Sequence, residues 1–338
     1  MVAGVALQSS VAFGGRPEAV LRGARASTSA PAVFPYGHPR PRMRDFFLDY
    51  QRAHESELPP EKPVGSFRVV SHNINEFHSI ERSQRPIEVQ RRVELELRAS
   101  GADIIALQEV PLDQRTLGEL QQAFGDWKLL HCASSAHGGG ATGNVLLTRL
   151  SVRRVENVTL PGYHDPRCAV IATVDLPAGD GAIPVVVIAT HLDNDDEGAS
   201  QKAALGMLFE LVKAARNTIL VGDLNLVISS DPQLRMFEAI DRMNHRGVPI
   251  VRAEVFEKAG FVDAAAFRPD GPPPWTCWSG KRVDYIYFKN GGSIIEENSG
   301  VLYSQNSDHM PVFFDFKELR KPSADPNHPS DLPPARAH

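Results

Sequence analysis

The apolar run Thr218–Val221 stops at Gly222-Asp223-Leu224-Asn225, and this arrest constrains the chain more than any other stretch. Ile219, Leu220 and Val221 read as a buried strand closed by a turn signal. An acid and an amide two residues apart, set at a strand's carboxyl end just past a glycine, can both aim into one crevice over the sheet edge. Open α/β architectures place their ligands there. Taken alone, Gly-Asp is an ordinary turn. It gains weight only if other strands end in the same chemistry, and they do.

The strand Phe67–Ser71 runs into His72-Asn73-Ile74-Asn75, and the strand Asp103–Val110 carries Gln108 and Glu109 as its last polar residues. Pro184–Thr190, a run of Val and Ile typical of a sheet centre, ends at His191. Ala169–Asp175 reads as its neighbour. Asp284 lies in a strand of alternating aromatic and β-branched residues, where a carboxylate is rare unless partnered. Val301–Gln305 leads to Asn306-Ser307-Asp308-His309, and Pro311–Phe316 is the last strand. Helices are predicted over Pro86–Ser100, Leu112–Phe124, Ala199–Ala215, Glu238–Arg246 and Ala253–Ala259, with Gly101 and Gly260 as closing glycines. The acidic run Asp193–Glu197 reads as a helix cap, with a second cation site as the outside reading. Gly138-Gly139-Gly140 forms a turn, and Asn144 beyond it either lines the site or is a simple turn residue.

With 338 residues, 42% apolar and 23% charged, the chain can bury one large core or two modest ones. No apolar run approaches the roughly 18 residues of a transmembrane helix. The net charge of −5 excludes a broad basic footprint, so a nucleic-acid contact must be local. Cys132, Cys168 and Cys277 lack metal-type spacing and are expected to be reduced thiols in a reducing compartment.

Residues 1–64 are expected to form a disordered or targeting extension with a short helix within Asp45–Glu57. Arg16, Arg22, Arg25, Arg40, Arg42 and Arg44 oppose Glu18 alone, a composition like that of a plastid or mitochondrial transit peptide or of an ordinary disordered tail. Residues 65–320 form the catalytic domain, and 321–338 a proline-rich disordered tail. The protein is expected to be intracellular and monomeric, in the cytoplasm or nucleus if the extension does not direct it to an organelle.

Together, Asn73, Asn75, Glu109, His191, Asp223, Asn225, Asp284, Asp308 and His309 fall at strand ends or in the adjoining loops. Hard oxygen donors and amides without cysteine suit Mg²⁺, with Mn²⁺ as a substitute. An adjacent Asp-His pair supplies an oriented imidazole.

Over about residues 65–320 these pieces resemble the endonuclease/exonuclease/phosphatase superfamily, the deoxyribonuclease I-like fold. The matching pieces are Asn73-Ile74-Asn75, Leu107-Gln108-Glu109, Thr190-His191-Leu192, Gly222-Asp223-Leu224-Asn225, Arg282-Val283-Asp284-Tyr285 and Ser307-Asp308-His309, in that order. Gly143-Asn144 followed by a strand and Arg149 resembles a further element. Two departures are Asn75, where nuclease members often carry Asp, and Ser200, where many relatives place an arginine.

The resemblance implies an α/β four-layer sandwich, two mixed sheets packed face to face with helices outside. It also implies a metal-dependent phosphodiesterase. Glu109, Asn75 and Asp308 would hold the metal, Asp223 would orient or deprotonate water, and Asn225 would bond the phosphate. His191 and His309 would donate to its oxygens, Asp284 would orient His191 or a neighbouring loop, and Asp308 would buttress His309. Asn73, Asn144, Trp275 and Trp278 are expected to bind phosphate or substrate, the two tryptophans as a wall after the stiff loop Gly271-Pro272-Pro273-Pro274. The leading substrate is nucleic acid, cut by a nuclease or by an end-processing enzyme of the apurinic endonuclease or tyrosyl-DNA phosphodiesterase kind. Alternatives are a lipid or inositol phosphodiesterase or phosphatase such as a sphingomyelinase, a poly(A) deadenylase, and, from a different class, a non-catalytic binding module of the same fold.

Overall fold

The computed structural model describes residues 43–53, 59–79, 84–137, 140–163, 166–179, 181–194, 198–231, 234–235, 238, 249–267 and 275–318. The expected helix Glu238–Arg246 (all but its first residue), Gly138-Gly139, Asp195–Glu197, the extension over 1–42 and the tail 321–338 lie outside them.

In chain order the elements are α1 (Met43–Ala53), β1 (Phe67–Asn73), α2 (Pro86–Ala99), β2 (Ile104–Pro111), α3 (Gln114–Phe124), β3 (Lys128–His137), β4 (Gly140–Thr148), β5 (Ser151–Leu160), β6 (Arg167–Ala178), β7 (Gly181–His191), α4 (Ala199–Leu211), β8 (Thr218–Asp223), β9 (Val227–Ile228), β10 (Ile250–Val251), β11 (Val262–Asp263), β12 (Asp284–Lys289), β13 (Ile294–Val301) and β14 (Val312–Glu318). A one-turn helix, Glu254–Lys258, precedes β11.

Two six-stranded sheets result, ordered β13-β14-β1-β2-β4-β3 and β11-β12-β8-β7-β6-β5. Both are mixed: β1 runs parallel to β2 and antiparallel to β14, while β8 runs parallel to β7 and antiparallel to β12. Period-two alternation divides the apolar residues of each central strand between two faces. Val69, Ile104, Val187, Val221, Ile286 and Phe314 meet in the core between the sheets. Val70 and Ile105 face Val89, Val93 and Leu97 of α2 and Leu120 of α3, while Ile188 and Leu220 face Leu205 and Leu208 of α4. This is the expected α/β sandwich.

Local chemistry starts and stops the outer helices. Pro86 occupies the first turn of α2, and Gly101 at φ +70° follows its end. Asp113 accepts from the backbone nitrogens of Arg115 and Thr116 to cap α3. The N-cap of α4 is Gly198, with no side-chain cap bond. The acidic Asp193, expected as part of a cap, instead accepts from the Tyr163 amide and pairs with Arg167 at 3.1 Å.

Two expectations are corrected by tertiary packing. Helix α1 belongs to the domain: Phe47 is buried with Trp275 and Met310, and Gln51 Nε2 bonds the Ser304 carbonyl. The strands β3 and β5 pair antiparallel with β4 and β6. Cys132 and Cys168 are joined in a disulfide rather than reduced, because β3 and β6 of opposite sheets bring their Cα atoms to 6.2 Å, while Cys277 is free and buried.

Candidate active site

Strand register assembles the polar heads. In the second sheet His191 pairs with Asp223 across β7 and β8, and Asp223 pairs with Asp284 across β8 and β12, so three chemical residues form one row. In the first sheet Asn73 pairs with Gln108, beside Glu109. Gly222 permits the close approach of β7 and β8: at φ +148°, a Cβ there would lie 1.8 Å from the Thr190 carbonyl oxygen.

The backbone is bent to aim these groups. Non-glycine residues with left-handed φ are Asn75 (47°), Glu76 (53°), Phe77 (59°), Glu109 (55°) and Asn225 (48°) among the described residues. All but Phe77 line one crevice of about 600 Å³. Glu109 sits where the β2–β4 register shifts between Leu107 and Val110, and the irregularity turns its carboxylate out of the sheet. Strain of about 1–3 kcal/mol per residue persists where surrounding structure over-determines it.

Asp223 is the hub. Its Oδ2 accepts from Asn73 Nδ2 at 3.0 Å and lies 3.6 Å from His191 Nε2 and 3.8 Å from His309 Nε2, while its Oδ1 accepts from the Asn225 amide at 2.9 Å. Asn73 Nδ2 also reaches Glu109 Oε1 at 3.0 Å, so one amide bridges two carboxylates from different sheets. Asn225 Nδ2 donates to the Leu192 carbonyl at 3.1 Å, which fixes its orientation, and meets His191 Nε2 at 2.9 Å.

The two histidines are oppositely poised. Burial pulls the His191 imidazole down to about 4, with Asp223 opposing the shift, so it is neutral, and the Asn225 donor makes Nε2 the acceptor. Burial also disfavours charge on His309, but Asp284 and Asp223 outweigh it and hold its pKa well above the usual imidazole value. Glu109 is pushed up by burial, partly offset by its bond from Asn73, with Asp308 and Asp223 adding to the shift.

Several expected roles change. Asp284 bonds His309 Nδ1 at 2.8 Å, so Asp284 rather than Asp308 buttresses that histidine, and of the two expected partners of Asp284, His191 and a neighbouring loop, it meets the loop that carries His309. The reason is the bridge between Cys277 and His309, which lays the residues before β14 against those before β12. Asn144 does not line the crevice: it is buried in β4 and donates to the Cys168 carbonyl at 2.8 Å. Trp275 is core rather than wall. The Met310 amide bonds the Thr276 carbonyl and the Trp278 amide the Asp308 carbonyl, placing Trp275 against Phe47 and Met310 and leaving Trp278 37% exposed on the crevice. Asn75, Glu109, His191, Asp223, Asn225, Asp308 and His309 all line the crevice, and Asn73 lies directly beneath.

Arg167, missed in sequence, also lines it. A lone base before a strand has no periodic signal. Its guanidinium is fixed by Asp193, whose carbonyl accepts from Gln201 Nε2 at 2.6 Å.

The donor set fits a hard divalent cation. Glu109 and Asp223 crowd carboxylate oxygens around one amide, with Asp308 near enough to raise Glu109 further. Asp223, Asp284 and His309 also place ligand atoms within 4.8 Å of one another, but His309 Nδ1 is taken by its hydrogen bond with Asp284, and Asp223 faces the other edge of the ring at 3.8 Å.

Among the described residues no helix is long and apolar enough to cross a membrane. A search of the curated proteins finds no match. Solved structures share the fold. An endonuclease/exonuclease/phosphatase from Beutenbergia cavernae aligns at TM-score 0.52 and 21% identity over 75% of this chain and 72% of its own. The human Nocturnin catalytic domain with bound sulfate aligns at 0.56 and 19% over 78% and 100%. D. rerio TDP2 complexed with a single-strand DNA product aligns at 0.54 and 15% over 75% and 99%. The sequence model described as the Endonuclease/Exonuclease/phosphatase family matches residues 70–309, which cover every polar residue of the crevice, and the chain belongs to that family, whose members are generally phosphoester hydrolases that use divalent metals.

Proposed function

We propose that this protein is a Mg²⁺- or Mn²⁺-dependent phosphodiesterase acting on nucleic acid, as a nuclease or an end-processing enzyme. The observation that carries the reading is the hub itself: a carboxylate, Asp223, within 4 Å of two histidines of opposite protonation, beside a carboxylate-rich pocket.

Glu109, with Asn75 and Asp308, would hold the metal. Bound there, the ion supplies a Lewis acid that neutralises phosphate charge. Asp223, held by Asn73 and by the Asn225 amide, orients the attacking water and draws its proton. Asn225, held by the Leu192 carbonyl, turns its second amide hydrogen from His191 Nε2 to a phosphate oxygen as charge builds. His309, kept protonated by Asp284, donates to the phosphate or to its leaving oxygen. His191, neutral and with Nε2 accepting, presents Nδ1–H towards Glu109 at 4.0 Å.

Trp278 and Arg167 support a nucleic-acid substrate. An exposed indole on the wall offers a stacking face, and a guanidinium across the crevice offers a partner for a neighbouring phosphate. The proposal carries to this crevice the ligand class of the TDP2 structure, single-strand DNA. The overall charge of −5 suits a strand end or short single strand better than a long duplex.

The test is turnover of abasic DNA, 5′-tyrosyl DNA, poly(A), sphingomyelin and inositol phosphates by the purified full chain with Mg²⁺ or Mn²⁺. Nucleic-acid substrates should lead the panel, and chelation, Glu109→Ala and Asp223→Ala should each abolish turnover in folded protein. Full activity in a chelator or in either variant would overturn the mechanism, and preference for a lipid or inositol ester would overturn the substrate. Trp278→Ala should weaken single-stranded substrates by about 1–3 kcal/mol per stacked base and leave a base-free phosphodiester unaffected.

A further inference from the structure

We propose that Cys132 and Cys168 form a reversible clasp across the two sheets, opened by thiol–disulfide exchange with a dithiol, and that its closure holds one wall of the crevice in place. Cys132 lies in β3, the edge strand of the first sheet, and Cys168 is the second residue of β6 in the other sheet. The bond therefore crosses the sandwich rather than closing a local loop.

Its neighbours belong to the crevice. Ser134, two residues along β3, and Thr142 across the hairpin both line it, and Arg167 immediately precedes Cys168. Cys132 pairs in register with Asn144, whose Nδ2 donates to the Cys168 carbonyl. The same carbonyl accepts from Thr190 Oγ1 at 3.0 Å, one residue before His191. The clasp thus ties the β3–β4 wall to the strand start that bears Arg167 and to the end of the strand that bears His191.

The sandwich has other ties: Val69, Ile104, Leu146, Val170, Val187 and Phe314 pack with the two cysteines in the inter-sheet core. The edge strand β3 has one ladder, to β4, and loses its covalent tie to the second sheet. An opened clasp therefore loosens the wall while the sandwich persists.

The exchange balances as follows. A thiolate of the dithiol attacks Sγ of Cys132, the more exposed of the pair at 6% against 3%, forms a mixed disulfide and expels the Cys168 thiolate, which takes a proton. The reductant's second thiolate attacks its own sulfur in the mixed disulfide and expels the Cys132 thiolate, which is likewise protonated. The dithiol is oxidised to a disulfide by two electrons, and the protein gains two thiols. Low exposure means that attack follows local opening of the β3 edge. Cys277, free and buried beside Ser279, takes no part.

Only the activity arm of the test rests on the proposed phosphodiesterase reading. The full chain is equilibrated in buffers of varied oxidised-to-reduced dithiothreitol ratio, and peptides bearing Cys132 and Cys168 are quantified by alkylation and mass spectrometry. Amide hydrogen exchange of the β3–β4 hairpin and hydrolysis of a single-stranded phosphodiester are measured in the same samples. The two thiols should titrate together, the hairpin should exchange faster when reduced, and KM should rise about tenfold with kcat little changed, as misplacement of a binding wall requires. Cys132→Ser and, separately, Cys168→Ala should match the reduced chain at every ratio. A pair that never closes or never opens, or hairpin exchange identical in both states, would overturn the clasp. If no phosphodiester is hydrolysed in either state, the phosphodiesterase reading falls while hairpin exchange still decides the clasp.

Discussion

Asp284 Oδ2 lies 2.8 Å from His309 Nδ1, and the opposite edge of the same imidazole faces Asp223 at 3.8 Å. An imidazole between two carboxylates is fixed in orientation and held protonated, which suits it to donate and unsuits it to act as a base. The neighbouring His191 has the reverse character, because burial pulls its pKa down to about 4 and the Asn225 amide meets its Nε2 at 2.9 Å.

Asp284→Asn is therefore expected to lower kcat by about 10²–10⁴-fold with little effect on folding. The sign of the pH effect follows from the raised His309 pKa. Donation is available below that pKa and lost as pH rises through it, so removing the Asp284 charge should move the alkaline limb of kcat/KM to lower pH. An unmoved limb would assign it to another group.

His72 provides a separate pH dependence, in stability. Enclosed beneath the site, with Nε2 3.3 Å from the His309 carbonyl, its pKa is pulled by burial from 6.5 down to about 3. The unfolded chain takes up the proton first as pH falls. The stabilising contribution is full above 6.5 and is lost progressively towards about 3. This group alone should cost on the order of 2 kcal/mol between about pH 7.5 and about pH 5. Urea midpoints of wild type and His72→Phe at both pH values isolate the term, since contributions from other groups cancel in the comparison; parallel losses would show that His72 does not titrate on unfolding.

At the far end of β1, Arg68 and Asp315 form a bidentate pair at 2.6 and 2.7 Å, both essentially inaccessible. Asp315→Ala strands the guanidinium and should cost about 3–5 kcal/mol, whereas replacing both with Met and Leu should recover most of that loss. Denaturant unfolding of the single and double variants measures the difference. Turnover per folded molecule should stay unchanged in both.

Truncation separates the extension from the domain. A chain starting at Met43 should retain full stability. One starting at Pro59 loses Phe47 from its contact with Trp275 and Met310, and the Gln51 bond to Ser304, and should be weaker by about 3 kcal/mol. Equal thermal midpoints for the two truncations would place α1 outside the cooperative unit.

The sequence by itself determined the architecture and the roster of polar heads. Unbroken apolar runs such as Ile219–Val221 and Val185–Ala189 can satisfy their side chains only inside a sheet covered on both faces, and the polar residues that arrest them must then lie at one rim. Partnership was decided by tertiary structure. Whether Asp284 serves His191 or His309 depends on an antiparallel bridge between segments more than thirty residues apart, and no local pattern encodes that register. Trp275 and Trp278 lie three residues apart, yet the Cys277–His309 bridge and the turn that follows it send the first to a core completed by α1 and the second to the crevice. Cys132 and Cys168 offered no spacing signal because their proximity arises from two sheets packed face to face, a contact that exists only once the sandwich has closed.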